Sequence, residues 1–219
     1  MIVGIIGDTH FPAVHPEYLS FLRETFKLAK VQRIIHIGDV TDCHRISRHI
    51  SEPDTVSATD ELEEAKELIK EYAYYFPKIT ITEGNHDAIP KRQLKELGLP
   101  KDFLKSWNEL YQAPDSWIKM SHVSIQSVWY EHGIGSTGMY GCVNTALKYG
   151  LSYVQGHTHG FGGCLYRAGP ERTLFGLNVG CGVDTEHPAM RYGENFKYKP
   201  TLGCGLVQDG KIARFVPMT

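Results

Sequence analysis

The sequence predicts a layered α/β fold whose later part turns to antiparallel strands, and three observations carry that expectation. Short apolar runs alternate with segments of helical periodicity through the first half, the pattern of strands joined by helices. Four of those runs end on a glycine and a polar residue: Gly7-Asp8, Gly38-Asp39, Gly84-Asn85 and Gly156-His157. From about residue 161 the chain is rich in glycine, β-branched and aromatic residues, and Gln208-Asp209-Gly210-Lys211 is a hairpin signal.

Taken in order, Ile2 to Ile6 is the unbroken apolar run of a buried parallel strand. Pro16 then opens a helix in which Leu19, Leu22, Phe26 and Ala29 recur at spacings of three and four. The second strand reads Arg33 to Ile37. A helix over about 60–76 follows, with Asp60 and Glu63 as a cap-like pair, Leu62, Ala65, Leu68, Ile69 and Tyr72 as its apolar stripe, and its glutamates as a solvated face. Lys78 to Thr82 and Leu151 to Gln155 are the third and fourth strands. Between them, 89–110 reads as two short helices, 117–131 as strands and 137–149 as a helix. There is no internal repeat or low-complexity linker, so one domain over 1–219 is expected, with a helical cap insertion at about 88–117.

Composition narrows the function classes. Lysine plus arginine number 23 against 25 acidic residues, and the pI of about 6.6 gives no electrostatic bias toward nucleic acid or membrane. The five cysteines are odd in number and lack C-x-x-C spacing, which argues against a disulfide framework or a thiolate zinc site. Met1 to Ile6 is too short for a signal peptide and no long apolar run follows, so the expected location is cytoplasmic.

Polar residues at the carboxyl ends of sheet strands face the crevice where open α/β folds bind ligands. The four Gly-polar endings therefore place Asp8, Asp39, Asn85 and His157 in one crevice, with His10, His86 and His159 close behind in sequence. His132, at the end of the strand Ser127 to Glu131, is a further candidate. Taken singly, Asp8, Asp39 and Asp87 fit a turn or helix cap after a strand; the ensemble favours a metal site.

This ordered set resembles the calcineurin-like metallophosphoesterases. The blocks that carry the resemblance are Asp8-Thr9-His10, Gly38-Asp39-Val40-Thr41-Asp42, Gly84-Asn85-His86-Asp87, His132-Gly133 and Gly156-His157-Thr158-His159. It implies a β-sheet sandwich flanked by helices and a two-metal phosphoesterase. Asp8, His10 and His159 would hold one ion, Asn85, His132 and His157 the other, and Asp39 would bridge them. A carboxylate can span ions about 3.5–4 Å apart. Two divalent ions, two carboxylates and a bridging hydroxide leave about one net positive charge to attract a phosphate, and the resemblance implies attack by that hydroxide. His86 is left without a metal and is expected to be the general acid or a donor to the phosphate, with Asp87 orienting its ring; Asp42 would hold a ligand histidine in the right tautomer. Nitrogen and oxygen donors suit manganese first, then iron, zinc, nickel, cobalt or magnesium.

The expected substrate is a phosphate ester. The phosphoprotein phosphatase branch carries arginine and glutamate where this chain has Cys43 and Asp87, which tilts the expectation toward phosphodiesters or broad specificity, with monoesters or phosphoproteins as the alternative. Lys91, Arg92, Lys95, Lys101 and Lys105 beside Trp107, Tyr111 and Trp117 suit nucleotide or single-strand contact. Against that, Leu94, Leu97, Phe103, Leu104, Trp107 and Leu110 fit the apolar side of a helical cap better. His44, Arg45 and Arg48 stand as candidate substrate contacts at the crevice edge. Gly135-Ser136-Thr137-Gly138 reads as plain helix capping, His36 as a core or supporting residue, and His15, His49, His122 and His187 as surface or packing. A catalytically silent protein-binding scaffold is the alternative of another class; it would be expected to have dropped a ligand or His86.

Overall fold

Two sheets face each other in the computed structural model, which describes residues 1–48, 56–193, 195 and 197–219; His49 lies outside them. The elements run β1 (Ile2–Ile6), α1 (Tyr18–Ala29), β2 (Arg33–His36), α2 (Ala58–Tyr75), β3 (Ile79–Thr82), α3 (Ile89–Glu96), α4 (Trp107–Tyr111), β4 (Trp117–Met120), β5 (Val123–Ile125), β6 (Val128–Tyr130), α5 (Gly141–Tyr149), β7 (Ser152–Gln155), β8 (Gly162–Ala168), β9 (Thr173–Val179), β10 (Gly203–Gln208) and β11 (Ile212–Pro217). The first sheet has the order β11-β10-β1-β2-β3-β4 and the second β5-β6-β7-β9-β8. Strands β1 to β4 are parallel, as are β6, β7 and β9, whereas β8, β10 and β11 pair antiparallel with their neighbours.

The unbroken apolar character of β1 follows from its burial on both faces. Val3 and Ile5 meet Val128, Tyr130, Val154, Leu177 and Val179 between the sheets. Ile6 points the other way and packs with Leu22, Phe26, Ile69 and Tyr72 of α1 and α2. On the outer face of the second sheet, Cys142 and Ala146 of α5 cover Tyr153. Each such large aliphatic side chain contributes about 2 kcal/mol through burial. The hairpin signal is realised between β10 and β11, with Asp209 at φ 52° and Gly210 at φ 66°, the left-handed pair that a two-residue turn of this hand requires.

Four local expectations are corrected. The cap of α2 is Ser57, whose hydroxyl accepts from the Asp60 amide at 3.2 Å, so the helix starts two residues before Asp60. Its glutamates are not all solvated: Glu61 is buried, because it falls in phase with Ala65, Ile69 and Tyr72. Ser136 does not cap α5, whose N-cap is Tyr140; it bonds the Thr145 hydroxyl at 2.9 Å instead. In 88–117, Trp107 and Leu110 pack on the helix-side core, but Leu97 and Phe103 are exposed. No helix among the described residues is long and apolar enough to cross a membrane.

Candidate metal centre

The turns leaving β1, β2 and β3 of one sheet, and β6 and β7 of the other, open onto a common cleft. They deliver Asp8 and His10, Asp39, Asn85 and His86, His132, and His157 and His159. The site is therefore built where the carboxyl ends of two sheets meet. Two of the glycines are there because the chains approach so closely. A Cβ on Gly84 would lie 2.1 Å from Asp39 Oδ1, and one on Gly156 2.1 Å from Asp8 Oδ1. His10, Asp39 and His157 themselves adopt positive φ of 48°, 48° and 65°, each costing about 1–3 kcal/mol in a residue with a side chain. Fixed contacts hold them: the His10 amide donates to Asp39 O at 3.0 Å and the His157 amide to Asp8 Oδ2 at 2.8 Å.

Ligating atoms converge in two sets that share no residue, and a third group, His10, Asp39 and His86, overlaps both. Asp8, His10 and His159 form one, with His159 Nε2 3.1 Å from Asp8 Oδ2. Asp39, His132 and His157 form the other: His132 Nε2 lies 3.1 Å from Asp39 Oδ2, 3.0 Å from Asn85 Oδ1 and 3.2 Å from His157 Nδ1. Asp39 Oδ2 is also 3.6 Å from His10 Nε2, which puts one carboxylate oxygen between the sets. The other, Oδ1, accepts the His86 amide at 2.8 Å. Two tautomers are fixed from behind. His132 Nδ1 lies 3.0 Å from the Ile37 carbonyl, which can only accept, and His10 Nδ1 lies 2.8 Å from Asp42 Oδ1. Both rings thus turn Nε2 toward the site.

A divalent cation fits this donor set. Asp8 Oδ1 and His10 Nε2 are buried without a hydrogen-bond partner, an arrangement that is costly unless a cation satisfies it. Burial pushes Asp8 and Asp39 up, yet the charge of His132, aided by His159 for Asp8 and by His10 and His86 for Asp39, holds both below the usual carboxylate range. Burial likewise pulls His132 down, but Asp39 and Asp8 outweigh it and raise the imidazole to about 9. Without a metal, a proton on His132 stands in for part of the positive charge that the buried carboxylates demand.

Beside the two sets, His86 Nδ1 lies 2.8 Å from Asp42 O and 3.0 Å from Asp42 Oδ1, leaving Nε2 for the cleft that the ring lines. Burial lowers this imidazole, and the Asp42 hydrogen bond with the charge of Asp39 raises it to about 9. The carboxylate in contact with the His86 ring is therefore Asp42, not Asp87. The side chain of Asp87 turns into the loops instead, accepting from the amides of Val40 at 3.1 Å, Thr41 at 3.2 Å and Gly84 at 3.1 Å. Consecutive residues of a turn diverge, so neighbourhood in sequence misassigned the partner.

Of the remaining candidates, His36 is buried against Thr9 Oγ1 at 3.0 Å, and burial lowers it to about 4, so it is neutral. His15 and His187 are half-buried, and His122 is exposed and stacks on Trp129 at 4.0 Å. None of His44, Arg45 and Arg48 lines the cleft. His44 is buried 4.0 Å from Asp42 Oδ2, and Arg48 pairs with Glu96 at 2.5 Å. No described residue from 91–117 lines the cleft either; Tyr111 and Trp117 are buried in the core and closed to a stacking base. Sequence reading missed two features. Glu61 accepts the His44 and Arg45 amides at 2.6 and 3.0 Å, anchoring the turn after Asp42. The far wall of the cleft comes from Thr185, Glu186, Met190, Gly193 and Tyr198 with the two residues after it, where no metal-ligand motif draws attention.

A family model described as calcineurin-like phosphoesterase matches residues 1–161. The chain belongs to that family. No curated protein sequence matches it. Among solved structures, a metallophosphoesterase from Sphaerobacter thermophilus is 14% identical with a TM-score of 0.53, over 100% of this chain and 88% of its own. YfcE, a phosphoesterase from E. coli, is 17% identical with a TM-score of 0.43, over 95% and 88%. Vacuolar protein sorting 29 from Cryptosporidium parvum is 15% identical with a TM-score of 0.46, over 94% and 85%. The calcineurin-like family places the two-sheet architecture, its flanking helices and the Asp/His clusters in one frame: a phosphoesterase fold whose members bind divalent metals.

Proposed function

We propose that the protein is a metal-dependent phosphoesterase acting on phosphodiesters or a broad range of phosphate esters. Asp8, His10 and His159 would hold one divalent ion, Asn85, His132 and His157 a second, and Asp39 would serve both. The observation that carries this reading is the position of Asp39 Oδ2, 3.6 Å from His10 Nε2 and 3.1 Å from His132 Nε2, between the two donor sets. Ions bound there supply Lewis-acid polarisation of the phosphate and lower the pKa of bound water toward neutrality. Donors that are all nitrogen or oxygen make Mn²⁺ the first ion to try.

The chain's own chemistry centres on His86. Asp42 fixes Nδ1, so Nε2 faces the cleft, where a proton on it would pass to the departing oxygen. Asn85 adds a donor oxygen without adding charge, which spares the positive potential that draws in a phosphate. A silent scaffold would not need these eight residues to converge.

The test compares bis-p-nitrophenyl phosphate with p-nitrophenyl phosphate, and a dinucleotide with its poor alkoxide leaving group, using chelator-stripped protein with and without Mn²⁺. Metal-dependent cleavage with the diester preferred is expected. His86→Ala should keep its metals and lose about 10²-fold or more on the dinucleotide. Normal turnover of the dinucleotide by that variant would remove His86 from the acid role, and a monoester preference would move the substrate to phosphomonoesters.

A further inference from the structure

The cleft before the candidate metal centre holds about 550 Å³, the size of pockets that enclose a whole small ligand rather than a bare phosphate. Histidines and Asn85 make one wall. The opposite wall is mixed, with Met190, Tyr198 and Pro200 as its apolar part beside Thr185, Glu186 and Lys199. Met190 is fixed from below by packing with Ala13, Cys181 and Val183. Tyr198, by contrast, is 72% exposed although it lines the cleft.

A single exposed aromatic ring on a protein surface needs no explanation, but the position of this one is set by the metal-centre loop. A Cβ on Gly160, the residue after His159, would come within 3.1 Å of Tyr198 Cβ. The Thr201 amide donates to the His159 carbonyl at 2.7 Å, tying the same segment to that loop. Lys197 Nζ stands 5.7 Å from the ring centroid, adding positive charge beside an exposed aromatic face. A flat, amphipathic ring lining the same cleft as the histidines, with room there for more than a phosphate, is what a planar substituent requires.

We infer that Tyr198 is a stacking platform and that the substrates are nucleotide-type phosphate esters, whose base lies on this ring while the phosphate faces the histidines. The inference rests on the phosphoesterase reading and assigns its substrate class. Stacking tolerates any base, because every base has a π-face, so the platform selects nucleotides over alkyl phosphates without selecting among bases.

The test titrates the Mn²⁺-loaded protein with AMP and with methyl phosphate by calorimetry, which does not depend on turnover. AMP should bind about tenfold tighter or more. Tyr198→Ala should bring the two to within about threefold of each other, and Tyr198→Phe, which keeps the ring, should preserve the difference. Equal affinities in the unmodified protein, or a difference that survives in Tyr198→Ala, overturn the inference and leave the phosphoesterase reading in place. Binding of neither phosphate overturns that reading and the inference with it.

Discussion

Asp42 stands where two histidines meet: one oxygen is 2.8 Å from His10 Nδ1 and 3.0 Å from His86 Nδ1. Burial raises its pKa, and the hydrogen bonds to both rings outweigh burial and hold it well below the usual carboxylate range. Asp42→Asn keeps the shape and removes the charge, so His10 Nδ1 loses its carboxylate partner and His86 Nδ1 is left with the Asp42 carbonyl alone. We expect metal affinity or turnover to fall about 10–100-fold, measured by metal analysis and by diester hydrolysis on the same sample. An unchanged value in both would show that Asp42 merely fills space. At this scale the sequence was largely legible. The Gly-polar endings name the residues that converge, because a strand end needs glycine only where another chain comes as close as Asp39 comes to Gly84. Which carboxylate serves His86 was not legible, since it depends on side-chain direction within a turn.

At the scale of elements, α2 reaches the site through Glu61. This carboxylate is buried, its pKa raised by desolvation, and it accepts two amides of the turn that follows Asp42. Removing it leaves buried donors unpaired, and Glu61→Ala should cost about 2 kcal/mol in urea denaturation. Glu61→Gln, which keeps one acceptor, should cost less; no loss in either variant would mean that water replaces the carboxylate. The helix itself was evident from its stripe, and Glu61 falls in that stripe, one turn before Ala65 and two before Ile69. Reading every glutamate as solvated overrode the phase. The helices of 88–117 were also legible as elements, but the exposure of Leu97 and Phe103 depends on what the fold places beside them.

For the whole molecule, two sheets meeting at their carboxyl ends bury charge that only a cation or protons can balance. The parallel first half and antiparallel tail were readable from pattern; that the fourth Gly-polar strand belongs to a second sheet was not, because pairing partners leave no local periodicity. In the metal-free protein His86 and His132 stand at about 9, above the usual 6.5. Their stabilising contribution is therefore complete below about pH 6.5 and lost as pH rises through about 9. Metal-free protein should lose thermal stability between those values, while metal-loaded protein, in which a cation takes the place of the His132 proton, should lose less. Metal uptake at pH 7.5 should release protons, which a weakly buffered indicator would record. A metal-free melting temperature flat across that range would contradict the protonated histidines.

The most direct measurement adds Mn²⁺ stepwise to chelator-stripped protein while following hydrolysis of bis-p-nitrophenyl phosphate. Two donor sets with an Asp39 oxygen between them predict no turnover without metal and a rise to a plateau at about two ions per chain. Asp39→Asn should abolish that plateau. Turnover that persists in chelator, or Asp39→Asn with metal content and rate both intact, would contradict the two-metal account.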